Sequence, residues 1–166
     1  MANPEIRNVQ VQRWSIRSFR PISRIVELLE AAVGHPDMAV LGREIAEART
    51  PNDLQAVVQK WLGTSGLMEF ARYDLGAVVK KEMSGAPSSY RFVIGNPLIM
   101  KDMVKHVPDA GSYAPVTVLI DERADGVHLS YDRMASLLGS YDNAPALQVA
   151  KDLDTKIETL LTEAAG

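Results

Sequence analysis

The sequence contains no cysteine, and this absence removes several classes of chemistry. Disulfides and thiolate reactions are excluded, and the redox compartment cannot be deduced from cysteine usage. No apolar run approaches the roughly 20 residues that cross a bilayer, so we expect no membrane partner. The first residues lack the basic start and apolar core of a secretory signal, which favours a cytoplasmic protein.

A concentrated positive charge is also absent. The chain has 18 basic and 21 acidic residues, a net charge of -3, and basic side chains that are scattered along its length. A nucleic-acid-binding surface normally clusters them, so we expect no nucleic-acid partner. With 166 residues and 46% hydrophobic content, the composition predicts a single folded domain over residues 1–166.

The first half of the sequence changes its hydrophobic period several times. Alternation predicts a strand over residues 7–19, with a bulge near Arg13 because the apolar residues change parity there. Helical spacing then predicts one helix over residues 22–32 and two more within residues 37–63. The last of these begins at Thr50-Pro51, a hydroxyl cap followed by proline.

The second half predicts four strands and several helices. A strand over residues 66–73 and a helix over residues 74–83 precede the segment from Tyr90 to Asp132. That segment contains three strands, with a helix after the Gly95-Asn96-Pro97 turn and a tight hairpin at Asp125-Gly126. A long amphipathic helix opens at Pro145, and its acids at positions 152, 154, 158 and 163 are expected to form a solvated face.

Strands and helices are therefore mixed without a regular βαβ repeat. This order favours the α+β class, with an antiparallel sheet that helices pack on one face. Residues 36–63 have the character of an inserted helical hairpin within that arrangement.

An ordered set of motifs resembles a known family. The set comprises Gly95-Asn96-Pro97, the loop Pro108-Asp109-Ala110-Gly111, Pro115, the Asp125-Gly126 hairpin and Tyr131. It resembles the bacterial family named domain of unknown function 302. Members commonly carry an Asp-His pair before this region, whereas here Asp74 is followed by Leu75.

The resemblance implies a fold similar to the β-α-β(4)-α class of TATA-binding-protein-like proteins, often within a homodimer. It implies no established activity. Fold similarity to a DNA-binding protein does not carry its function, and the sequence lacks the basic sheet face that minor-groove binding requires.

The Gly-Asn-Pro turn and the last predicted strand supply the candidate ligand-binding residues. Gly95 and Asn96 open a helix whose amides suit an anion, although ordinary capping explains the same residues. His128 is expected on the more polar side of its strand, and a general-base role there requires an acid such as Asp132 or Asp121. Tyr131 and Asp132 complete the candidate set, which is Gly95, Asn96, His128, Tyr131 and Asp132.

Methionine and histidine recur at three-residue spacing in Met100, Met103 and His106. This spacing suits a soft metal or a haem, but core packing by the methionines and a histidine at the helix C-terminus explain it more simply. We therefore expect no metal and no cofactor.

Three functional hypotheses remain open at this level. The first is a non-catalytic homodimer that binds a small ligand or a partner through its sheet face or its Gly95–His106 helix. The second is an enzyme with a site near Asn96, Tyr131 and Asp132. The third is a soft-metal or haem protein that uses Met100, Met103 and His106.

Overall fold

The computed structural model describes residues 3–166 and has an α+β fold, as the sequence predicts. Five antiparallel strands form one open sheet in the spatial order β1-β5-β4-β3-β2. The strands are β1 (Arg13–Ser18), β2 (Met68–Asp74), β3 (Ser89–Gly95), β4 (Val116–Arg123) and β5 (Gly126–Asp132). The central strands β3, β4 and β5 are the three strands predicted in the segment from Tyr90 to Asp132, although β3 begins one residue earlier, at Ser89.

Residues 3–166 also form seven α-helices. They are α1 (Ile22–Ala32), α2 (Met38–Glu47), α3 (Pro51–Trp61), α4 (Leu75–Val79), α5 (Pro97–Val104), α6 (Met134–Leu138) and α7 (Ala144–Ala165). When the shorter helices α4, α5 and α6 and the α2–α3 pair are left out, the order of elements is β-α-β(4)-α. The likeness to the TATA-binding-protein class stays a prediction. Among the described helices, none combines the length and hydropathy needed to cross a bilayer.

The main core lies between the sheet and helices α1, α5 and α7. Alternate residues of the central strands, among them Phe92, Val118, Ile120 and Leu129, are fully buried against these helices. Burying such side chains is the main source of stability in a domain of this size. A smaller cluster around Leu41, Val58 and Met68 attaches the α2–α3 pair to the edge of the sheet.

Two predicted elements are shorter than expected. The predicted strand over residues 7–19 is wrong before Arg13, because the partner strand β5 ends at Asp132, which pairs with Arg13. No bulge near Arg13 is needed, since Val9 and Val11 lie outside the sheet. The predicted helix over residues 74–83 ends at Val79, where i→i+3 hydrogen bonds from Lys81 and Glu82 replace the helical pattern.

The predicted turns and caps are confirmed with one shift. Thr50 and Asp53 form a reciprocal capping box at α3. The β4–β5 hairpin turns at Ala124-Asp125, one residue earlier than predicted, and Gly126 opens β5 with φ +136°. A side chain there would also press on the carbonyl oxygen of Ser18, so glycine suits this position.

Candidate functional site

One face of the sheet is polar and carries a groove. Because side chains alternate along a strand, the residues between the core positions point to the opposite face. We call this the open face. Its side chains are Arg13 and Arg17 of β1, Arg91 of β3, Thr117, Leu119, Asp121 and Arg123 of β4, and His128, Ser130 and Asp132 of β5.

The groove on the open face has a volume of about 500 Å³. Arg91, Leu119 and Ser130 are consecutive partners across β3, β4 and β5, so they form one row of its floor. Leu75 borders the groove after the end of β2, and Tyr113 and Leu137 line it together with Arg13 and Asp132. The row crosses two strand-to-strand spacings, which together are about 10 Å, and this distance is the length of the row.

Most charged side chains of the open face are already paired. Arg13 donates two hydrogen bonds to Asp132, at 2.8 and 3.0 Å. Arg17 lies 3.3 Å from Asp125, and Arg123 donates to both carboxylate oxygens of Asp121. These contacts fix the direction of the side chains and partly neutralise the face.

Arg91 differs from the other arginines of the open face. Among residues 3–166 its guanidinium has no carboxylate partner, whereas Arg13, Arg17 and Arg123 each have one. Its guanidinium carbon lies 4.6 Å above the ring of Tyr73, the residue opposite it on β2. Such stacking holds an arginine in one direction while its N–H donors stay available.

His128 lies on the open face, as predicted, but its partner is a different acid. Its Nε2 is 2.9 Å from Oδ1 of Asp125, the turn residue three positions earlier. This hydrogen bond, followed by that of Arg17, lowers the pKa of Asp125 below its ordinary value. No described hydroxyl contacts the imidazole, so the pair is a hydrogen bond between two side chains rather than a nucleophile–base pair.

Tyr131 and Asp132 are neighbours in sequence, but they point to opposite faces of the sheet. Asp132 faces the groove and pairs with Arg13, whereas the Tyr131 ring is 2% exposed and lies on the helix side. The Tyr131 hydroxyl lies 3.0 Å from Glu158 and 3.3 Å from the Asp154 carboxylate, both on α7. Burial, reinforced by these two carboxylates, raises the pKa of Tyr131 far above its ordinary value.

One acid of α7 is buried, contrary to the prediction from the sequence. The predicted solvated face is wrong for Asp154, which is 1% exposed. Its carboxylate accepts hydrogen bonds from the backbone amides of Met134 (2.7 Å) and Ala135 (3.0 Å), and therefore caps the start of α6. Burial raises the pKa of Asp154, although the two amides and Arg133 act in the opposite direction.

Arg133 completes this buried polar cluster, which we define as Tyr131, Arg133, Asp154 and Glu158. Its Nε lies 2.9 Å from Glu158, but outside hydrogen-bond geometry, so the contact is an ion pair and not a hydrogen bond. The cluster ties the end of β5 to the middle of α7. Its polar side chains lie beneath the sheet, and Tyr131 is the member of the cluster that also borders the groove.

Gly95 and Asn96 lie at a different place, at the end of β3. Asn96 Oδ1 accepts from the Leu98 amide at 2.8 Å, and its Nδ2 donates to the Gly66 carbonyl at 3.0 Å. A side chain at Gly95 would come within 2.9 Å of Pro115, which follows a cis peptide bond. Both ends of the Asn96 amide are therefore used within the fold.

A second, smaller cavity of about 90 Å³ lies beside this turn. It is mainly apolar, and Met100, Met103, Phe70 and Leu153 contribute to its walls. Asn96 lines this small cavity and Tyr131 borders the open-face groove, so the two residues do not share either of these cavities. The structure thus places Asp132 and His128 on the open face, Tyr131 beneath it, and Gly95 with Asn96 beside the small cavity.

Met100, Met103 and His106 do not converge on one point. Met103 is fully buried in the main core, whereas His106 follows the end of α5 and is exposed. Within residues 3–166 no group of three histidine or acidic side chains has the geometry of a metal site. A thioether in the core and an imidazole in solvent cannot share an ion without rearrangement of α5.

Comparison with known proteins identifies the family. The model of the family "Domain of unknown function DUF302" matches residues 43–164. The chain belongs to the DUF302 family. The match begins inside the segment predicted as an insertion, and the insertion of residues 36–63 stays a prediction. A search of curated proteins finds no match.

A solved DUF302 structure has the same fold. It is an uncharacterised conserved DUF302 protein from Bacillus stearothermophilus, with a TM-score of 0.63 and 10% sequence identity. The alignment covers 93% of this chain and 98% of that one. At this identity the similarity shows the fold and no activity.

The DUF302 motifs now have definite positions in the fold. Asp74 caps α4 by accepting from the Ala77 amide at 2.8 Å. Leu75 lies at the border of the open-face groove, and its side chain makes that border apolar.

Sequence reasoning missed Arg91, Thr117 and Ser130 as groove residues. Strand alternation alone places Arg91 on the face opposite the apolar face of β3, so the sequence is sufficient to predict which face Arg91 occupies. The order of the strands was not available, and only this order brings Arg91, Leu119 and Ser130 into one row.

Proposed function

We propose that this DUF302 protein is a non-catalytic binding protein that holds a small ligand in the open-face groove. The observation that carries the proposal is the groove itself. Its volume of about 500 Å³ falls within the range of small-molecule sites, which is roughly 300–1,000 Å³. A paired antiparallel sheet forms its floor, so the site needs little ordering when a ligand enters.

The side chains of the groove favour binding over catalysis. The hydroxyls of Thr117 and Ser130 have no side-chain hydrogen bond to a base among the described residues. The most prominent acid, Asp132, already accepts two bonds from Arg13. A catalytic site generally needs a nucleophile and a base in contact, or an acid with a perturbed pKa in the cavity. These features support recognition through shape and fixed charges.

Filling the groove tests this proposal. Thr117 is exposed near the start of the central strand β4 and lines the groove, and β-strands accept aromatic residues well. We expect Thr117→Trp to abolish the binding of small-molecule fragments that shift groove amide signals in NMR spectra of labelled protein. Thr117→Val keeps the volume of the position and should retain that binding. If no fragment in a library of acids, amines and neutral aromatics shifts these amides in the wild type, the proposal fails.

We also propose that the protein forms a homodimer. Four exposed apolar side chains support this: Val78 (70% exposed), Met83 (61%), Val79 (47%) and Tyr73 (45%). They lie at or shortly after the end of the edge strand β2, and we call them the apolar patch. A symmetric dimer buries the same patch of both subunits, which removes its apolar surface from water.

Sedimentation tests the dimer. The double substitution Val78→Asp with Met83→Asp places charges in the apolar patch and should convert the protein to a monomer without unfolding it. Phe19→Asp, at a separate position that is 83% exposed, is the matched control and should leave the dimer intact. A wild-type protein that sediments only as a monomer would contradict this part of the proposal. The cytoplasmic location stays a prediction, which cell fractionation tests.

A further inference from the structure

We propose that the ligand of the groove is a singly charged organic anion with an apolar body, a carboxylate-bearing small molecule anchored by Arg91. This inference rests on the proposed binding function and adds the chemical class of the ligand. It identifies Arg91 as the residue that determines specificity.

The charges of the open face are balanced except at Arg91. Arg13, Arg17 and Arg123 each contact a carboxylate, and Arg91 is the arginine of this face that has none among residues 3–166. On β4 the acid of the open face is Asp121, two residues from Leu119, and both of its oxygens are engaged by Arg123. One guanidinium without a partner is complementary to one negative charge.

The side chain of Arg91 is already oriented for binding an anion. The ring of Tyr73 lies 4.6 Å from its guanidinium carbon and supports it from the side of β2. The planar donors of an arginine match the two oxygens of a carboxylate, and such charge-assisted pairs are about twice as strong as neutral hydrogen bonds. Because the side chain is already stacked, little freedom is lost when an anion binds.

Apolar and aromatic side chains line the groove beyond Arg91. Leu75 and Leu119 lie near the Arg91 end, and Tyr113 and Leu137 line the groove with Asp132. An apolar body can cover these side chains, and at the far end the charges of Arg13 and Asp132 already balance each other, so that end offers no unpaired charge for a second ionic group. The ligand is therefore oriented, with its carboxylate at Arg91 and its apolar body directed toward Asp132, over about 10 Å of sheet.

Three probes of the same shape test the charge requirement. They are 4-phenylbutyrate, its neutral amide and 4-phenylbutylamine, each titrated into labelled protein while groove amide signals are followed by NMR. We expect the carboxylate to bind about tenfold or more tightly than the amide, since a hydrogen bond to a charged group contributes that difference. The preference should decrease as salt is added, because the partners are solvent-exposed.

Arg91→Gln should reduce the preference for the carboxylate to less than about threefold, and Arg91→Lys should retain part of it. Arg43→Gln removes an exposed arginine of α2 and is the matched control for net charge, with no expected effect. If the amide binds the groove as tightly as the carboxylate, or if Arg91→Gln leaves the preference unchanged, the ligand class is wrong while the binding function stands. If none of the three probes shifts the groove, both proposals fail for ligands of this shape.

Discussion

Asp154→Ala is expected to lower the free energy of unfolding by about 3 kcal/mol, and the melting temperature by about 10 °C. The substitution leaves the amides of Met134 and Ala135 without their acceptor at the start of α6. Each buried donor without a partner costs about 1–3 kcal/mol. Arg133 and Tyr131 also lose a neighbouring carboxylate within the buried polar cluster. Denaturant unfolding of the purified variant measures the change.

Asp152 provides the matched control on the same helix. Its carboxylate accepts one bond from Gln148 on the exposed side of α7, so Asp152→Ala should change stability by less than about 0.5 kcal/mol. Equal losses in the two variants would contradict the capping role of Asp154. Such a result would mean that removing an acid from α7 has the same effect on stability whether or not the acid contacts α6.

The pH dependence of this effect has a definite sign. Burial raises the pKa of Asp154 in the folded protein above the value of about 4 in the unfolded chain. The folded state therefore holds the proton more tightly, and the stability from this group is fully present below the unfolded pKa. It decreases as the pH rises through the folded pKa. The loss caused by Asp154→Ala should accordingly be larger near pH 4 than at pH 7.

Local patterns in the sequence predicted the elements better than the site. Caps at Thr50, Asp74 and Asn96 are encoded within three or four residues, and each is present in the structure. The groove depends on pairs such as Arg91 with Leu119 and Leu119 with Ser130, which are distant in sequence. Alternation gives the face of each residue, but only the strand order gives its neighbours.

The errors have the same origin. Helical periodicity predicts a solvated face for Asp154 because it treats a helix as having one apolar side. Its position is decided by α6, whose two free amides meet α7 at that point. The strand before Arg13 was overpredicted because alternation continues in the sequence after its partner β5 has ended. In both cases a tertiary contact determined what the local pattern could not.

Gly34→Ala is expected to cost at least about 3 kcal/mol, because the new methyl group would overlap the backbone. A β-carbon at Gly34 would collide with the carbonyl oxygen of Trp61 and lie 2.9 Å from the amide nitrogen of Gly63. Backbone atoms cannot rotate away as a flexible side chain can. Gly34 also pairs with β2, since its amide donates to Leu67 and its carbonyl accepts from Glu69.

Gly42 makes the test specific to this close approach. It lies inside α2, and a β-carbon there would have no atom within 4 Å, so Gly42→Ala should raise stability by about 1 kcal/mol through helix propensity. Opposite signs in the two variants, measured by denaturant unfolding, would show that the backbone contact between Gly34 and the Trp61–Gly63 segment attaches the α2–α3 pair to the sheet. If Gly34→Ala is also neutral or stabilising, the pair is held by the Leu41, Val58 and Met68 cluster alone. The α2–α3 pair would then be free to shift against β2, and the edge of the sheet that carries Tyr73 would have to be fixed by the pairing of β2 with β3.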